Sequence, residues 1–118
     1  MSKRLIDEIH QLHAHLCNAL ADPNRILILY TLANGHRNVS QLAQDTKLPQ
    51  PTVSRHLKIL RDTGLASSSR EGHSVFYEVA DFRVIDALDT LRSVLADNLE
   101  KQAAVARSIS ASITSKNN

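Results

Sequence analysis

Residues 48–60 read Leu-Pro-Gln-Pro-Thr-Val-Ser-Arg-His-Leu-Lys-Ile-Leu, and the way this stretch sorts its polar and apolar residues decides the fold. Pro49 and Pro51 force a turn, because proline lacks an amide donor and cannot sit in a helix beyond its first turn. After them Val53, Leu57 and Leu60 recur at helical spacing, giving a helix that ends near Gly64 an inward stripe. Gln50, Thr52, Ser54, Arg55, His56 and Lys58 lie off that stripe or at its margin. A shorter helix precedes the turn, from Ser40 as N-cap to about Lys47, with Leu42 and Ala43 inward. Two short helices joined by a tight turn, the second polar and basic outside, form a helix-turn-helix whose second helix suits a major groove. There Arg55 is able to reach guanine and Gln50 adenine.

Downstream of Gly64 the period changes. Leu65 to Arg70, a Glu71-Gly72 turn and Ser74-Val75-Phe76-Tyr77-Glu78-Val79 predict a two-stranded hairpin. Its tip would form a wing beside the groove-reading helix, with Arg70 and His73 placed to touch DNA. Val84, Leu88, Leu91, Leu95 and Leu99 then mark a long amphipathic helix that Asp81 is placed to cap. Upstream, Asp22-Pro23 starts a helix that Gly35 closes, with Ile26, Leu27, Ile28, Leu29, Tyr30 and Leu32 apolar nearly all round. A first helix carries Leu5, Ile9, Leu12, Leu16 and Leu20 on one stripe.

With 118 residues there is room for one domain, expected over 1–107, followed by a polar, frayed tail over 108–118. Aromatics at 3% point to an aliphatic, helix-packed core, so the fold class is mainly α with one small β-hairpin: a winged helix-turn-helix. The longest apolar run, Ile26 to Tyr30, is too short for the roughly 20 residues a membrane span needs, and residues 1–20 lack a signal peptide's continuous apolar stretch. No membrane partner and a cytoplasmic location are expected. A single cysteine, Cys17, excludes an intrachain disulfide. The net charge of +2 says little, but residues 36–74 hold six Lys/Arg against three Asp/Glu, whereas residues 80–106 hold three against five. The basic charge sits mid-chain, with the groove-reading helix.

Three motifs in order, Ala21-Asp22-Pro23-Asn24-Arg25, then Leu48-Pro49-Gln50-Pro51-Thr52-Val53-Ser54-Arg55-His56-Leu57, then Gly64-Leu65 with Arg70-Glu71-Gly72, resemble the ArsR/SmtB family of bacterial repressors over residues 5 to 100. The resemblance implies a homodimer built from the first and last helices, and repression of a palindromic operator relieved by an effector. Leu5, Ile9, Leu12 and Leu16 on the first helix and Leu88, Leu91 and Leu95 on the last are the expected dimer interface. One departure concerns Pro49, where the family often places a serine able to cap the helix.

The effector is open at this level. Metal-sensing members carry a Cys-x-Cys pair near the third helix or an Asp/His set on the last, and neither pattern occurs here. The remaining candidates are His10, His13 and Cys17 on the first helix. At about 100° per residue they share a sector of roughly 60°, with His15 nearly opposite, so a zinc or similar ion would need a further ligand from elsewhere. Two other readings stand beside this one: His13 and Cys17 border the dimer core with His10 solvated, or Cys17 is a site of thiol chemistry. Two competing functions are a winged-helix module that binds protein rather than an operator, and an enzyme. Arg55, Lys58, Arg61 and Arg70 make the exposed surface too basic for the first. The second lacks a phosphate loop or a metalloprotease motif.

Overall fold

The computed structural model describes residues 1–116, and their side chains as far as residue 114. Helix α1 (Lys3–Leu12) runs on into a π-helical turn at His13–Cys17, and is followed by α2 (Pro23–Ala33), α3 (Val39–Thr46), α4 (Gln50–Asp62), strands β1 (Ala66–Glu71) and β2 (Ser74–Val79), and α5 (Arg83–Lys116). This is the mainly helical winged helix-turn-helix read from the sequence, with its hairpin between the fourth and fifth helices.

Local chemistry sets most boundaries. Asp22 accepts a hydrogen bond from the Asn24 amide at 2.8 Å, with Pro23 in the first turn of α2. Helix α3 starts earlier than Ser40. Asn38 takes the cap by accepting from the Gln41 amide at 2.8 Å, while the Gln41 side chain accepts from the Asn38 amide at 3.0 Å. This reciprocal pair satisfies two amides that a helix start otherwise leaves open, so it outcompetes a lone serine cap. Lys47 closes α3 in the left-handed region at φ 60°, and Leu48-Pro49 turns the chain into α4.

The core lies under α2. Ile28, Leu29 and Leu32 are buried with Leu42, Val53, Leu57, Leu60 and Leu65, none more than 2% exposed. Helix α2 packs on α3, α4 and β2, which is why it is apolar nearly all round. The wing is antiparallel in the register Ala66↔Val79 to Glu71↔Ser74, and its turn residues are Gly72 and His73, one place later than the sequence suggests. Gly72 supplies the φ of 63° that this tight turn requires. Arg37 and Tyr77 exchange backbone hydrogen bonds at 3.1 and 2.8 Å, pinning the chain before α3 to the wing.

The chain divides into two compact units, Met1–Ile85 and a second that begins at Asp86. The division falls inside α5, whereas composition draws it at 107/108. Nor does helix give way to tail at 108: α5 continues to Lys116, and the last two residues of the expected tail lie outside the described residues. Ile109 and Ile113 keep the four-residue apolar spacing of Leu95 and Leu99, and serine costs a helix only about 0.5 kcal/mol. No helix among the described residues is long and apolar enough to cross a membrane.

Candidate nucleic-acid interface

Helix α4 is held by one face and offers the other. Val53, Leu57 and Leu60 are at most 1% exposed, so burial fixes its rotation about its own axis. Gln50, Ser54, Arg55 and Lys58 face solvent, and Thr52 is half-buried. Pro49, at the N-cap, makes no side-chain cap, as its departure from the family pattern implies, and the first amides of α4 are left open beside the polar face. Gln50 Nε2 donates to Ser40 Oγ at 3.2 Å, tying the starts of α3 and α4 together. Arg55 Nη2 donates to Thr52 Oγ1 at 3.5 Å, one turn earlier. On the wing, Arg70 and His73 are exposed.

His56 does not belong to this face. It is 8% exposed and sits with Val53, Leu57 and Leu60 on the buried side, since positions 53, 56, 57 and 60 form one i, i+3, i+4, i+7 set. A polar residue type concealed that membership. Lys58 is exposed, but its Nζ donates to Asp62 Oδ2 at 2.8 Å, and this hydrogen bond holds the Asp62 carboxyl below its usual range. Its charge is therefore partly answered within the helix.

Arg25, one residue of the Ala21–Arg25 motif, organises the inner side. Its Nε donates to the Ala19 carbonyl at 2.6 Å and its Nη2 to the Asn18 carbonyl at 3.3 Å. Its Nη1 lies 3.4 Å from His56 Nδ1 and 3.6 Å from Asp22 Oδ2. One guanidinium fork thus joins the end of the first helical segment, the start of α2 and the middle of α4. Burial holds the His56 pKa below its ordinary value, with the positive charges of Arg25 and Arg55 acting in the same direction and Asp22 opposing them. Neutral His56 presents a ring nitrogen to Arg25; a protonated one would place two cations together. A cue was available in Arg25 itself, a long cation directly after a helix start and next to apolar residues.

The first helical segment does not bring His10, His13 and Cys17 into a ligand set. Among the described residues no three His, Cys, Asp or Glu side chains are grouped so as to hold a metal ion. The expected convergence assumed a uniform α-helix, and the π-helical winding over His13–Cys17 changes the angular step between those residues. His15 Nε2 lies 3.0 Å from Gln11 Oε1.

Of the expected dimer residues, Leu5, Ile9, Leu12, Leu91 and Leu95 are 43–62% exposed in the single chain. Leu16 is half-buried, and Leu88 is 6% exposed in the single chain.

Comparison with known proteins agrees with this geometry. The family model for the bacterial regulatory protein, arsR family, matches residues 22–68. A probable mercury resistance operon repressor of Streptomyces lividans is 38% identical over 85 residues, 72% of this chain and 68% of the relative. The biofilm growth-associated repressor of Agrobacterium fabrum is 35% identical over 89 residues, 73% of this chain and 76% of the relative. Among solved structures, the homodimeric winged helix-turn-helix DNA-binding domain Mb0332 of Mycobacterium bovis superposes with a TM-score of 0.73 at 32% identity, covering 85% of this chain and 92% of that one. The chain belongs to the arsR family of bacterial regulatory proteins and is a DNA-binding transcriptional regulator rather than an enzyme.

Proposed function

We propose that the protein is a cytoplasmic repressor that binds a palindromic operator as a homodimer and leaves it when an effector binds. The observation that carries this reading is the division of α4: a stripe at most 1% exposed on one side, and Gln50, Ser54 and Arg55 exposed beside an uncapped helix start on the other. Such a helix is rigidly aimed and carries donors for base edges and phosphates. Arg70 and His73 on the wing add backbone or minor-groove contacts. The exposed leucines of α1 and of α5 supply the dimer contact, and two-fold symmetry gives a palindrome its matching reader.

Release follows from the Arg25 fork. An effector acts only through different affinities for two conformations. Movement of the first helical segment would pull on the Asn18 and Ala19 carbonyls, and through Arg25 on His56 and α4. Fluorescence anisotropy on the DNA preceding the protein's own gene tests the reading. Binding should fall steeply with salt, and Arg55→Ala should weaken it about tenfold or more, in keeping with about 1–3 kcal/mol for a good base contact. Equal affinity of Arg55→Ala and the parent protein would overturn it.

A further inference from the structure

Gln50 of α4 and Ser40 of α3 stand ten residues apart in the chain, yet Gln50 Nε2 donates to Ser40 Oγ at 3.2 Å. Both side chains are exposed, but the helices that carry them are anchored, since Leu42 of α3 and Val53 of α4 are fully buried in the core. The serine is available because Asn38 caps α3: its Oδ1 accepts from the Gln41 amide at 2.8 Å, a task that Ser40 does not share. The Ser40 hydroxyl instead meets the start of α4.

This pairing decides which edge of the Gln50 amide is left over. A primary amide has one oxygen acceptor and two N–H donors on its nitrogen. The N–H on the same side as Oε1 forms with it a flat edge of one donor and one acceptor. The other N–H points away and can serve a neighbour without disturbing that edge. Adenine offers the matching pair in the major groove, an acceptor at N7 and a donor at N6, whereas guanine offers two acceptors, N7 and O6. Guanine would call for both N–H groups of Nε2, one of which Ser40 holds. We propose that Ser40 is a positioning residue for sequence reading: it holds the Gln50 amide with its mixed edge toward the groove and so sets a preference for adenine over guanine at one base-pair position of the operator. The inference rests on the operator reading above. The same contact spares Gln50 part of the cost of ordering a long side chain on DNA.

Anisotropy with the full-length protein tests this, on the DNA preceding its own gene with each base pair changed in turn. Gln50→Ala locates the position by erasing discrimination there. Ser40→Ala should lower a preference of about fivefold or more for A·T over G·C to about twofold or less at that position alone, while Ser40→Thr, which keeps the hydroxyl, should retain it. In a Gln50→Ala background, Ser40→Ala should change nothing further there, because the serine acts only through the amide. A Ser40→Ala effect spread evenly over all positions would overturn the proposal, since a lost phosphate contact or a loosened helix weakens every sequence alike. So would a full preference kept by Ser40→Ala, or G·C preferred at the Gln50 position. If Gln50→Ala leaves every preference intact, this inference falls, and Arg55→Ala then decides the operator reading itself: weakened binding keeps that reading, and unchanged binding removes both.

Discussion

Helices α4 and α5 are both amphipathic, yet they meet opposite fates in the single chain. The apolar stripe of α4 is sealed under α2, with Val53, Leu57 and Leu60 at most 1% exposed, whereas Leu91, Leu95 and Leu99 of α5 keep more than half of their surface. Periodicity alone cannot tell these cases apart, because it reports that a stripe needs a partner and not where the partner is. The covered stripe aims a polar face; the open one is the surface proposed to gather a second molecule. DNA recognition needs both.

The comparison predicts unequal responses to the same substitution. Leu57→Ala should cost about 2–5 kcal/mol, seen as a lower urea midpoint, because it leaves a cavity in a packed core. Leu95→Ala should instead lower the midpoint by an amount that grows as the protein is diluted, as expected when subunit association is weakened. Equal, concentration-independent losses would erase the distinction. Arg25→Ala comes next, with about 1.5–3 kcal/mol lost as the Asn18 and Ala19 carbonyls lose a charged donor. Its DNA affinity should fall too, measured at a temperature where the variant remains folded.

A smaller effect concerns pH. Because the folded chain holds the His56 pKa below 6.5, the unfolded chain binds more protons between the depressed value and 6.5. Stability from neutral His56 is therefore complete above 6.5 and is lost as pH falls through that window toward the folded value. His56→Gln should flatten that part of the stability curve, and an unchanged slope would rule out buried His56 as its source. The smallest expected change is a gain: Pro49→Ser supplies α4 with the missing cap, worth about 0.5–1 kcal/mol in thermal unfolding.

Much of this was legible in residue order. The Asp22-Pro23 start, the turn at Leu48-Pro49 and the strand-like Val75-Phe76-Tyr77 run each carry a local signal that the fold obeys. What was not legible depended on contacts between distant segments. His56 reads as surface until Arg25 is seen against it, 31 residues away. The π-turn at His13–Cys17 has no residue signature, so ligand angles computed on a regular helix fail there. The polar tail misled for the opposite reason: serines suggested an end, while Ile109 and Ile113 carried the helical spacing onward.

The central claim is that two copies of the α4 face are held at a fixed separation by the open helices, and half-site spacing tests it most directly. Anisotropy would compare the proposed palindrome in its natural spacing with versions carrying 5 or 10 extra base pairs at the centre. The account predicts a loss of at least a hundredfold with 5, since half a turn of DNA, which repeats in about 10–10.5 bp, sends the second half-site to the far side of the duplex. Affinity indifferent to the insertion would contradict it, leaving α4 as a reader that works one copy at a time.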